Sequence, residues 1–560
     1  MDIKNLIAKS INYNDIDFSS MVSENLDKSM GDYSIACFSL AKILRKSPVQ
    51  IANEIKDNIS LGSLISKIEV VNGYINFFLN KNYFAREILK EIDSNQLFEK
   101  DETLKSKTIC LDYSSVNLAK YMHIGHLSTT IIGESLARIF EEKGYNVVRI
   151  TYIGDFGTPF GKMVYAHLTW GSKKELEERG VDYLQDLYVE FCKRATDEPE
   201  LEEHAREYFK KICDKDPVAY SIYLKFIDIS KIEAKRILDE LNVHFDSWKG
   251  ESAYSEELNN IVNQLNQKGL LKTSQGAQVV DLEPYDLGTC LIQKSDGTSL
   301  YTSRDIAAAI DRYNEYHFDQ MIYVTAVQQK LHFEQFFKVL ELMGYDFADK
   351  LSHVYYGMFS LPTGKIASRK GKQAVLVDLM EYSKNKVNHI ISERNYSEDK
   401  KSEIATKIAY SALKFTPIKN ERIKDTVFDV ENAFSFDGDT SAYMQYTYAR
   451  ICSILKKANI QTSFDDVDFE KINSDCVSNL IIALNNYSNV ISRALEQKEP
   501  SIISKYTMDM CKLFNKFYTT EKVMTEDITS TKSKLFLLVC IKKILEKLFH
   551  LICIDAVDEM

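Results

Sequence analysis

The stretch from Thr108 to Gly157 limits the fold more than any other. TICLDYS is a short apolar strand. After a loop, HLSTTIIGESLARIFEEKGY (126–145) carries apolar residues at helical spacing and stops at Gly144, and NVVRITYIGDFG (146–157) is a second strand running into glycines. Strand, loop, helix, strand is a βαβ unit, the building block of a parallel sheet.

The rest of the chain is read around this unit. Residues 1–100 form a small mixed α/β unit. Its segment 31–59 has helical spacing broken at Ser47-Pro48, and IEVVNGYINFFLN (68–80) is a hairpin about Asn72-Gly73. Residues 170–265 are charged and helical in period, a helical insertion. Sheet signals return at AQVVDL (277–282), SLYTS (299–303), MIYVTA (321–326) and HVYYGMFSL (353–361), with a helix at 331–345. From about residue 374 onward almost everything is helical. The expected domains are therefore 1–100, a catalytic unit 101–385, a helical connection 386–435 and a helical domain 436–560. The fold class is α/β: a Rossmann-like parallel-sheet catalytic domain with a helical insertion, a small α/β N-terminal domain and an all-α C-terminal bundle.

Several functions are excluded early. No apolar run reaches the roughly 18–20 residues of a membrane helix, and the start has no secretory h-region. The ten cysteines form no CxxC pair, so no zinc is expected and a reducing cytoplasm is. The net charge of −11 argues against a blanket nucleic-acid coat. It is unevenly placed: residues 1–100 carry −1 and 436–560 carry −2, which leaves −8 for the middle. Lys532, Lys534, Lys542, Lys543 and Lys547 give the last helices a local surplus that could meet phosphates.

Two constellations carry chemistry. Asn117-Leu-Ala-Lys120-Tyr-Met-His123-Ile-Gly125-His126 lies in the turn between strand and helix, where an open parallel sheet binds ligands. A helix N-terminus there suits a phosphate, and Gly125 lets a nucleotide lie against backbone. Thr363–Lys372, with four cations in eight residues, follows a strand and can close on a triphosphate, stabilising charge on a leaving pyrophosphate.

Together these two resemble the HIGH and KMSKS signatures of class I aminoacyl-tRNA synthetases. The stretches 112–140, IGDFGTPFG (153–161), YTSRDIAAAI (301–310), QKLHF (329–333), GKIASRKG (364–371) and 433–455 resemble the arginyl-tRNA synthetases throughout, in order. The resemblance implies an enzyme that makes arginyl-adenylate from arginine and ATP and passes arginine to the 3′ end of its tRNA. It implies that ATP is held by Lys120, His123, Gly125, His126, Gly364, Lys365, Ser368 and Arg369, with Lys120, His123, His126 and Lys365 catalytic. It assigns arginine to Asp112, Ser114, Asn117, His126, Tyr301, Asp305 and Gln329, with Asp112, Tyr301 and Asp305 about the guanidinium. It assigns tRNA to Gln445, Tyr446, Tyr448 and Arg450. The chemistry agrees: a planar five-donor cation wants carboxylates. Acids left unpaired by an uncharged analogue would reject it by about 10⁴–10⁵, so no editing domain is needed. Mg²⁺ would arrive with ATP, held by phosphates and water. The family is commonly monomeric.

There are departures. Ala367 lacks the usual hydroxyl, and Ser368 replaces the second signature lysine. Lys120 fits the arginyl enzymes that carry a lysine just before HIGH. Tyr448 stands where His is frequent, and Glu559 where Arg is common. The competing readings are another class I synthetase such as the cysteinyl enzyme, a small-molecule nucleotidyltransferase, and a catalytically impaired tRNA-binding relative.

Overall fold

The computed structural model describes residues 1–560 apart from 26, 61, 295–300 and 363–374, and the side chain of Lys28. Four strands, β1 (Thr108–Asp112), β2 (Asn146–Ile150), β3 (Gln320–Ala326) and β4 (Leu351–Tyr356), form a parallel sheet in the order β4-β3-β1-β2. The chain leaves β1 towards β2 and β3 towards β4, in opposite directions. The crevice at the carboxyl ends of β1 and β3 is therefore the switch point where such sheets take ligands.

Helix α1 (Gly125–Lys143) covers one face of the sheet, and α2 (Tyr301–Tyr316) with α3 (Lys330–Leu342) covers the other. Alternation along β1 follows from the pleat: Ile109 and Leu111 enter the first core and Cys110 the second. Helix α1 is buried from Leu127 to Phe140. Its Glu134 accepts from Tyr113 Oη at 2.7 Å, Arg138 Nε at 2.7 Å and Arg149 Nε at 3.1 Å, so this burial leaves the acid paired. Ser135 Oγ and Arg138 Nη1 of α1 donate to the carbonyls of Leu551 and His550, at 2.6 and 2.9 Å.

Five helices run between Thr158 and Glu240, and a sixth, Leu258–Gln267, lies near the end of the stretch 170–265 read as a helical insertion. A three-stranded antiparallel sheet (271–293) follows it. The N-terminal unit is a four-stranded antiparallel sheet whose Asn72 and Gly73, at φ 50° and 83°, make the hairpin turn. The last domain is a bundle that includes α4 (Ser441–Ala458) and α5 (Ile528–Leu551).

Two local expectations are corrected. Residues 33–36 are a strand pairing with 74–77, and the helices Phe38–Leu44 and Pro48–Asp57 come after it. Tyr301–Ser303 is the first turn of α2, where Thr302 and Ser303 are buried by tertiary packing.

Candidate active site

The turn after β1 brings two half-buried imidazoles together. The His123 and His126 rings lie against each other, tilted by 36°, with centroids 3.8 Å apart. The Gly125 N–H donates to His123 Nδ1 and the His123 N–H to His126 Nδ1, each at 3.1 Å. A ring nitrogen that accepts carries no proton, so each neutral ring bears its proton on Nε2. Burial lowers the pKa of both rings, that of His126 to about 3, and the neighbouring His123 adds to the effect on His126. The pair is thus two neutral N–H donors at the N-terminus of α1, suited to phosphate oxygens. A Cβ on Gly125 would come within 2.9 Å of the His123 ring, so glycine keeps this ring geometry free of strain.

The insertion braces the same turn. Ala119, at φ 62°, donates its N–H to Ser230 Oγ at 3.0 Å. Lys120 is exposed, its ammonium 4.8 Å from the Tyr188 ring centroid. Gly364, Lys365, Ser368 and Arg369 lie outside the described residues. The chain leaving that basic segment returns to the turn: the Leu376 N–H donates to Met122 O at 2.8 Å.

The expected arginine contacts divide. Asp305, near the start of α2, has Oδ2 2.6 Å from His332 Nε2 of α3. Tyr301 is 66% exposed, and Asn117 and Gln329 are exposed beside the crevice. A Cβ on Gly154 would strike Asn117 Oδ1, so that glycine keeps the asparagine in place. Asp112 ends β1 as expected, but its Oδ2 is 2.8 Å from Arg312 Nη1 and its Oδ1 accepts from Ser115 at 3.0 Å. The protein's own guanidinium therefore occupies it. Ser114 is fully buried, its Oγ accepting from Thr130 at 2.7 Å, so it ties the turn to α1.

Other residues at the site went unread in the sequence. Glu251 pairs with Arg304 at 2.8 Å. Burial first, and the acids Asp305 and Asp155 next, push its carboxyl up to about 7, against the pull of Arg304. Asp155 accepts from both the N–H and Oγ of Ser252, at 2.8 and 2.7 Å, which fixes the backbone beside Glu251. Glu251 offered no signal among 81 acids. Arg312 did: it lies seven residues after Asp305 on α2, two turns along the same face.

In the last domain, Tyr446 and Arg450 line an open groove of about 930 Å³, with the Arg450 guanidinium 4.8 Å from the Tyr446 ring and 5.1 Å from Tyr518. Gln445 and Tyr448, expected to meet tRNA, are core instead. Gln445 Nε2 donates to Asp555 O at 2.8 Å, and Tyr448, 2% exposed, donates to Glu546 at 2.6 Å. The five lysines read as a surplus are each paired with an acid: Lys532 with Asp466, Lys534 with Glu521, Lys542 with Glu546, Lys543 with Asp93 and Lys547 with Glu142. If Arg450 meets tRNA as the resemblance implies, Arg450→Ala is expected to raise the KM for tRNA about tenfold, one stacking contact's worth of binding. Tyr448→Phe should leave that KM unchanged and lower stability by about 1–2 kcal/mol. Charging kinetics beside a thermal melt read both, and equal KM values for the two variants would contradict the assignment.

A parallel sheet with paired imidazoles in its switch-point crevice is the catalytic architecture of class I tRNA synthetases, and residues 88–430 match the family "tRNA synthetases class I (R), catalytic domain". Residues 1–79 match "Arginyl tRNA synthetase N terminal domain" and 444–560 "DALR anticodon binding domain". The chain is 39% identical over 535 residues to the arginine–tRNA ligase of Clostridioides difficile, covering 95% of this chain and 94% of that protein. It is 40% identical over 569 residues to that of Clostridium botulinum, covering all of both. Among solved structures, arginyl-tRNA synthetase from Plasmodium falciparum superposes with TM-score 0.78 at 25% identity over 96% of this chain and 94% of that one. The Thermus thermophilus enzyme superposes with TM-score 0.80 at 23% identity, over 100% and 99%. The chain belongs to the arginyl-tRNA synthetase family.

Proposed function

We infer that this chain is an arginine–tRNA ligase, which activates L-arginine with MgATP and transfers it to the 3′ end of tRNA(Arg). The observation that carries the reading is the pair of neutral Nε2–H donors at the start of α1, on the same parallel sheet whose β2 end brings Tyr152 under the influence of the acids Asp305 and Glu251. The arginine carboxylate attacks the α-phosphorus of ATP and pyrophosphate leaves. Negative charge grows on the phosphate oxygens in that step, and two fixed donors stabilise it there without reorganising. Lys120 adds positive charge, and Lys365 and Arg369 in the basic segment are assigned to the departing pyrophosphate. The guanidinium is taken by Asp305 and Glu251, and the α-amino group by Asn117 and Gln329. The 3′-terminal ribose hydroxyl then attacks the adenylate carbonyl and AMP leaves. Mg²⁺ belongs to the ATP substrate. Tyr446 and Arg450 offer an aromatic and a cation to unpaired tRNA bases. No helix of the described residues is long and apolar enough to cross a membrane, and we assign the enzyme to the cytoplasm as a monomer.

The test is a charging assay with ATP, labelled amino acids and total tRNA. Arginine alone is expected to become attached. Attachment of another amino acid would point to a different class I specificity, and no attachment to an impaired tRNA-binding relative. Pyrophosphate exchange with and without tRNA reads whether activation needs the tRNA.

A further inference from the structure

Three polar groups at the carboxyl end of the sheet are buried without partners among the described residues: Tyr152 Oη, Tyr323 Oη and Arg312 Nη2. They belong to one layer. Tyr323 faces Asp112 in the β3–β1 register, and Tyr152 lies two residues beyond Ile150, the register partner of Asp112 on β2. Alternation along the strands puts Tyr152, Asp112 and Tyr323 on the α2 side of the sheet. The Arg312 guanidinium crosses the row, 5.1 Å from the Tyr152 ring centroid, 2.8 Å from Asp112 and 5.7 Å from the Tyr323 ring centroid.

An unmade hydrogen bond on a buried hydroxyl costs about 1–3 kcal/mol, so an orphan of this kind marks a partner that arrives later. The groups around Tyr152 say what that partner is. Burial holds its phenol proton far above the usual tyrosine range, and the Asp305 and Glu251 carboxylates act in the same direction. A neutral phenol beside two acids can accept from a cationic donor and donate onward to a carboxylate. A guanidinium offers five donors in one plane, more than two carboxylates that are already shared with His332 and Arg304 can satisfy.

We propose that Tyr152 is a specificity-determining residue for arginine: its Oη accepts a hydrogen bond from the substrate guanidinium, above the floor made by the Asp112–Arg312 pair. The proposal rests on the arginine–tRNA ligase reading and adds a contact to it. The neutral hydroxyl recognises the shape and donor count of the side chain, where the acids recognise its charge.

The test is Tyr152→Phe in the full chain, which removes one oxygen and keeps the ring. The KM for arginine is expected to rise about tenfold or more, as for a lost hydrogen bond to a charged group. The KM for ATP and kcat should stay within about twofold, and the melting temperature should hold or rise, because no hydrogen bond seen in the free protein is lost. An unchanged KM for arginine would overturn the proposal, since the hydroxyl would then be served by solvent. So would equal losses in both KM values with a lowered melting temperature, the mark of a structural role. Absence of arginine charging by the parent would instead overturn the functional reading, so the two failures are distinguishable.

Discussion

Replacing His126 with alanine is expected to slow arginine-dependent pyrophosphate exchange by about 10²–10³-fold, the usual cost of losing one preorganised donor to a transition-state oxyanion. The argument is geometric. His126 Nδ1 is committed to the His123 N–H at 3.1 Å, and its Nε2–H has no partner among the described residues. The donor is therefore aimed before substrate arrives, and the turn spends nothing on reordering during the reaction. The pH dependence follows from the sign of the shifts. Both imidazoles have lowered pKa values, that of His126 near 3, so both are neutral between pH 6.5 and 8. The exchange rate should show no histidine-like fall as pH rises through that window. A roughly tenfold decline with one ionisation, absent from the variant, would mean that an imidazolium does the work and would sink this account.

Replacing Asp112 with alanine carries the largest expected stability effect, about 3–5 kcal/mol, because it strands a guanidinium in the core. Arg312 is 3% exposed and remains charged at any working pH. Its Nη1 would lose the carboxylate 2.8 Å away, beside an Nη2 with no hydrogen-bond partner among the described residues. Removing both charges, as Asp112→Ala with Arg312→Met, should recover most of the loss, since a buried pair is often replaceable by apolar side chains. Denaturant titration of the catalytic-domain transition measures this. If Asp112 served the substrate guanidinium alone, the single variant would raise the KM for arginine at unchanged stability, and that result would refute the structural role.

What could be read from the sequence was set by distance along the chain. The βαβ unit, the Asn-Gly hairpin and the HxGH turn are written in contiguous residues whose period or turn chemistry is visible locally. Residues 33–36 are harder to read, because so short a run, Tyr-Ser-Ile-Ala, satisfies a strand and a helix turn equally, and the pairing with 74–77 decides. In α4 the spacing held information that motif matching passed over. Tyr446 and Arg450 are four apart and share the groove face, while Gln445 and Tyr448 are three apart and share the core face. The lysines of α5 suggested a phosphate-binding surface only while their partners were unknown. Those partners lie on other elements, and Asp93 and Glu142 are some four hundred residues away. Glu251 has the same explanation: its carboxylate matters because the fold brings it to Arg304 and Asp305.

The bonds from α1 to residues 550 and 551 also set a timetable. Ribosomes deliver the histidine turn early, yet Ser135 Oγ finds its acceptor 416 positions later. Arg138, 5% exposed, waits as long for the His550 carbonyl. Until then Ser135 Oγ and Arg138 Nη1 lack those two acceptors, although Arg138 already has Glu134 one turn away. A nascent chain shortened by its final eleven residues, His550 included, should therefore hold a loosened catalytic helix, with amide protons across 127–140 exchanging faster than in the finished protein.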